Sequence, residues 1–215
     1  MAQQPNVPRE AYDLDTFNGR SYALARFLSR LFNPIVLNIV SFVIVGAAAL
    51  ATPAAGLQWT ALCILVLILP PTAFYYVRLR QGVYSDEDVS IRQQRNELYV
   101  IGFVWVLISL FILGWLGLPR PFVALLVCGL AMGIIGGVVN LFWKISAHAS
   151  SIAATATIAL LYSRPLGLAC WVCAIAVGWA RVRTRNHTPM QVLAGFGSAA
   201  LIVLVVFGYF GLRGS

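Results

Sequence analysis

Apolar residues in this chain come in seven long runs separated by short polar, proline or glycine joints. The runs cover roughly 34–52, 57–77, 98–118, 121–143, 148–163, 165–180 and 190–212. A helix of about 20 apolar residues is long enough to cross a hydrocarbon core of about 30 Å. Soluble domains carry about 25% charged residues. This chain carries 10%, against 60% hydrophobic residues, too few polar groups to cover a surface in water. The expected fold is therefore all-α: a polytopic transmembrane helical bundle of six to seven spans. Pro53, Gly56, Pro119, Pro121 and Pro165 punctuate the joints as helix breakers. The fifth and sixth runs have only 16 residues each, so one is expected to extend into its flanks or fail to cross.

Residues 1–32 read as a cytosolic or interfacial arm and 33–215 as the membrane domain. In DLDTFNGRSYALARFLSRLF, apolar positions recur at helical spacing with Arg20, Arg26 and Arg30 between them, the pattern of a helix lying on a membrane surface. No cleavable signal peptide is expected, because the first 32 residues are polar and mixed. Cys63, Cys128, Cys170 and Cys173 all lie in apolar runs. The C-x-x-C at 170–173 has no histidine or acid beside it, and reads as helix packing rather than a redox or metal pair. Gly129, Gly133 and Gly137 recur at four-residue spacing, a bare helix face against which a neighbour can pack. The net charge of +8 resides in the joints, with no long basic run or RNA motif, so nucleic acid is not an expected partner.

Both histidines of the chain stand in joints. With the N-terminal side taken as one face, seven crossings put joints 78–97, 144–148 and 181–189 on that same face. His148 opens a helix after Ser146, where free N–H groups and the positive end of the dipole favour an anion. His187 follows Arg181, Arg183 and Arg185, and guanidinium forks suit phosphate oxygens. One imidazole can attack phosphorus while the other protonates the leaving oxygen.

The stretches KISAHAS and ARVRTRNHTPMQVLAG resemble the second and third signatures of the type 2 phosphatidic acid phosphatase family, P-S-G-H and S-R-x5-H-x3-D. Ser146 and His148 match the one; Arg181 and His187 match the other at the same spacing. The resemblance covers roughly 78–212. It implies a metal-independent lipid phosphatase in which His187 is the nucleophile and His148 the general acid, with no cofactor. Arg95, Arg181, Ser146 and the Ala147 N–H would cradle the phosphoryl oxygens. The family's first signature, K-x6-R-P, is matched only at Arg95: Asp88 stands at the lysine position and Asn96 at the proline, so Lys144 or Arg92 is a candidate substitute cation. Gln191 replaces the aspartate that orients the nucleophile. An amide can hold the imidazole tautomer but cannot stabilise an imidazolium as a carboxylate does. After Glu97 the chain has no acid, so an assisting carboxylate must come from Glu10, Asp13, Asp15 or the 86–97 loop, with Asp86, Glu87 and Asp88 as the candidates.

The function expected is hydrolysis of a lipid or isoprenoid phosphate or diphosphate, the tail remaining among the helices and the surrounding lipids the only other partner; no protein partner is expected. The rivals are a non-catalytic lipid-phosphate binder of the same fold and, behind it, an anion or lipid transporter, though no internal repeat supports the latter. Twelve of the cations (Arg9, Arg20, Arg26, Arg30, Arg78, Arg80, Arg92, Arg95, Lys144, Arg181, Arg183, Arg185) fall on the N-terminal side, and only Arg120, Arg164 and Arg213 on the other. Short basic loops stay cytoplasmic. The expectation is a multi-pass protein of the cell membrane with a cytoplasm-facing site.

Overall fold

The computed structural model describes residues 19–212, and these are all-helical apart from their joints. Helix α1 (Arg20–Leu31) breaks at Phe32–Asn33 and meets α2 (Pro34–Ala49) at a 47° bend. The chain continues through α3 (Pro53–Cys63), a π-turn (Ile64–Ile68) and α4 (Leu69–Arg80). After a long loop come α5 (Arg95–Trp115), α6 (Arg120–Asn140), α7 (Ala147–Tyr162), α8 (Arg164–Arg183) and α9 (Pro189–Tyr209). Among the described residues five stretches are long and apolar enough to cross a membrane: Pro53–Arg80, Arg92–Trp115, Arg120–Asn140, Arg164–Arg183 and Pro189–Tyr209. The bent pair α1–α2 makes a sixth, which is compatible with a multi-pass membrane protein. The expected sixth run lengthens to the 20 residues of α8, because nothing breaks the helix before Thr184; α7 stays at 16.

Local chemistry starts and bends these helices. The Asn33 side chain caps α2 by accepting from Ile35 N at 2.9 Å, with Pro34 in the first turn, where its missing N–H costs nothing. Thr52 and Pro53 repeat the device at α3. Pro70 has no N–H to give to Val66, which leaves that carbonyl free after the π-turn. Trp105 on α5 takes it up, Nε1 donating at 2.8 Å, and Ser109 Oγ adds a bond at 3.4 Å. The break in one helix thereby becomes a tie to the next.

Helix α7 lies at the centre, packed by α2, α8 and α9, and most of its residues are buried. Its small side chains allow this. Thr155 Oγ1 and Ser41 Oγ sit 2.9 Å apart across α2–α7, and Gly167 of α8 lies against the Leu160 backbone. One apolar core gathers Phe42, Val45, Leu113, Phe122, Leu126 and Phe207; a smaller one joins Leu37, Ile152, Ala174 and Val177. All four cysteines are free thiols, Cys63 and Cys128 buried, Cys170 and Cys173 half-buried on α8.

The glycine stripe of α6 departs from the packing expectation. A side chain at Gly136 or Gly137 would meet Tyr99 of α5, but Gly129 and Gly133 face open space. Asn140, at the end of α6, makes the interhelix bonds: Nδ2 donates to Arg92 O at 3.0 Å and Asn96 Oδ1 at 2.8 Å.

Candidate active site

The three joints that alternation assigns to one face do meet at one end of the bundle. His187 N donates to Arg181 O at 3.2 Å, and Ser146 N to Gln191 O at 3.3 Å, joining the α8–α9 turn to the start of α7. The loop before α5 closes over both. Its shape is written in DEDVS. Asp86 Oδ1 accepts from Asp88 N at 2.8 Å and Ser90 Oγ at 3.0 Å, an Asx-type turn that aims Asp88 inward. Val89 takes φ +45°, unusual for a β-branched residue. Arg95 holds it there, Nε donating to Val89 O at 2.7 Å and Nη2 to Asp88 O at 3.2 Å.

Asp88 is the hub. Arg181 Nη1 donates to its two oxygens at 3.1 and 3.2 Å, Asn186 Nδ2 donates at 2.5 Å, and His148 Nε2 lies 3.9 Å away. Arg181 is 1% exposed and Asp88 16%. Arg181 lines the central cavity, and its buried Nε has no hydrogen-bond partner among the described residues.

The capping of α9 fixes His187. Gln191 Oε1 accepts from Thr188 N at 3.1 Å within a capping box, which identifies that atom as the oxygen. His187 Nδ1 stands 3.1 Å from the same oxygen and must therefore donate its hydrogen, leaving the Nε2 lone pair free. Burial pushes the His187 pKa down to about 2, and the charges of Arg181, Arg95 and Lys144 act in the same direction. The imidazole is neutral at pH 7, as a nucleophile requires. Lys144 is itself lowered, by burial first and then by Arg95 and Arg181. His148 Nε2 is 3.1 Å from Ser29 O, which brings the last turn of α1 to the site.

Two expected residues do other work. Arg92 Nη1 donates to Asn140 O at 2.6 Å, and that bond ties the guanidinium to the end of α6. Ser146 is fully buried as the cap of α7, its Oγ accepting from Ala149 N at 3.4 Å; the hydroxyl does not face the cavity. Ala147, His148, His187, Arg95 and Arg181 do line it, together with Asp88. Lys144 is half-buried and within electrostatic reach, without lining it. Glu10, Asp13 and Asp15 lie outside the described residues. The carboxylate that reaches the cluster is Asp88, and it faces His148 and Arg181 rather than His187. Asn186 and the Ser29 carbonyl join the cluster without being among the residues the sequence points to. The polar Asn186 directly before His187 was a usable signal; a backbone carbonyl leaves none. Among the described residues no three metal-ligating side chains come together.

The cavity, about 480 Å³, has this polar cluster at one end and continues between α2, the π-turn, α5 and α6 along Phe42, Ile68, Leu98, Trp105 and Leu126. Compared with protein-family models, curated proteins and solved structures, the chain gives no significant match.

Proposed function

We propose that this chain is a multi-pass membrane phosphatase that hydrolyses a lipid or isoprenoid phosphate or diphosphate through a phosphohistidine. One observation carries the reading. A neutral, tautomer-fixed His187 and the buried guanidinium of Arg181 share the polar end of a cavity whose lining is otherwise mostly apolar. In the proposed step the substrate's phosphoryl oxygens take Arg181 and Arg95, displacing Asp88. The His187 Nε2 lone pair forms a bond to phosphorus, and the bond from phosphorus to the leaving oxygen breaks. Burial and the Arg181 charge push the His148 pKa down to about 3, so His148 relays to that oxygen the proton that a phosphate monoanion brings in. Water then attacks phosphorus, the P–N bond breaks back to His187, and His148 passes the water's proton to the departing phosphate. The neighbouring cations offset the charge that develops on the phosphoryl oxygens.

A second reading, a non-catalytic lipid-phosphate binder, is favoured by one feature: an amide, Gln191, stands behind His187 where a carboxylate would stabilise the imidazolium. Phosphate release separates the two. Purified protein in detergent, with EDTA present, is given lipid phosphates and prenyl diphosphates. Turnover together with an acid-labile phosphoenzyme that His187→Asn abolishes supports the phosphatase. Saturable binding without release supports the binder.

The positive-inside bias of 12 cations against 3 supports a cytoplasmic N-terminus, and the site cluster lies on the side of those basic joints. The proposed location is the cell membrane, with the site facing the cytoplasm.

A further inference from the structure

Three glycines line the apolar part of the cavity: Gly102 on α5, and Gly129 and Gly133 on α6. At each of them an added Cβ would meet no atom within 4 Å, other than the helix's own backbone and immediate neighbours. Glycine is, after proline, the least favourable residue inside a helix, and these three are not used for helix contact, unlike Gly136 and Gly137 under Tyr99. What they leave is room beside the chain, in a cavity that ends on the buried Arg181.

Their depths follow from helix geometry. Helix α5 runs away from the polar end and α6 runs toward it. Gly102 is seven residues past Arg95, and Gly133 seven before Asn140, so both lie about 10 Å from that end. Gly129 lies eleven residues before Asn140, about 16 Å deep and level with Val106, which is about half the thickness of a hydrocarbon core. Leu125, four residues further on, lines the bottom at about 22 Å. A volume of about 480 Å³ suits one modest ligand.

We infer that this groove takes a single hydrocarbon chain of an anionic lipid, and that Gly102, Gly133 and Gly129 set the chain length it accepts, the first two at mid-depth and the third deeper. The inference rests on the phosphatase reading for its headgroup and specifies the substrate by tail length. The groove is mostly apolar along its walls and holds Arg95 and Arg181 at its mouth beside Asp88 and Glu87, so an amphiphile whose phosphate displaces Asp88 matches both.

The test is a series of n-alkyl phosphates from butyl to hexadecyl, with the ratio of long-chain to short-chain kcat/KM as the readout. Gly133→Leu should lower that ratio by about tenfold or more from medium lengths upward, and Gly129→Leu only for the longest members, since a pocket discriminates on that order per excluded group. Gly133→Ala and Gly129→Ala give smaller shifts in the same order and serve if the leucine variants fold poorly. Gly114→Leu, at an exposed glycine of α5 outside the groove, should keep the wild-type profile. Unchanged profiles in the groove variants, or equal losses at every length, overturn the inference. The non-hydrolysable alkylphosphonates separate it from the phosphatase reading. If the wild type cleaves no member of the series yet its thermal midpoint rises with phosphonate length, and Gly133→Leu truncates that rise, the groove stands and catalysis falls.

Discussion

Asp88→Asn is the most informative single change, because in the proposed mechanism the substrate phosphate displaces Asp88. The pair with Arg181 is close and nearly dry: 3.1 Å, with Arg181 1% and Asp88 16% exposed. At an effective dielectric of about 20 the attraction is roughly 5 kcal/mol. The substitution keeps the shape and the Asn186 contact but strands a buried guanidinium beside Arg95. Breaking a buried pair from one side costs about 3–5 kcal/mol. A tetrahedral anion can restore what the variant lacks. We expect Asp88→Asn to melt well below the wild type in phosphate-free detergent. Adding phosphate or vanadate should then recover much more of the midpoint than in the wild type, where Asp88 competes for the same guanidinium. Ligand at a hundred times its Kd contributes about 2.7 kcal/mol. KM for a lipid phosphate should fall in the variant. If the variant melts with the wild type and both respond equally to anions, Asp88 does not occupy the phosphate position and the displacement step is wrong.

Three further outcomes are expected. Gln191→Glu keeps the reach to both Thr188 N and His187 Nδ1 and adds a charge, so turnover should hold or rise; a loss of about 100-fold, on the order of 2.7 kcal/mol, would assign the amide a role of its own. Because the His187 pKa is depressed in the folded chain, its contribution to stability is complete above the ordinary value near 6.5 and is lost as pH falls below it, by about 2 kcal/mol at pH 5; thermal melts of wild type and His187→Asn across that window should diverge, and parallel curves would contradict the burial argument. Ser85 is exposed in the loop that carries Asp88. In a cysteine-free background, Ser85→Cys should resist an impermeant maleimide in intact cells and react after lysis, and labelling of intact cells would reverse the orientation.

The seven apolar runs determined where the helices form, and prolines 34, 53, 165 and 189 determined where four of them begin, because both signals act within one or two turns. Alternation along the runs also brought His148, His187, Arg95 and Arg181 to one end. Tertiary structure decided the rest. Asp88 lies 93 residues from Arg181, Arg92 lies 48 from Asn140, and Ser29 lies 119 from His148. No local period encodes which of several arginines in a joint turns inward. That depends on which buried acceptor each finds once the helices have packed. Arg92 found the carbonyl at the end of α6, and Arg181 found a carboxylate. The same holds for the glycines of α6: four-residue spacing makes one face bare, but only the position of Tyr99 decides that Gly137 is covered and Gly129 and Gly133 border a cavity.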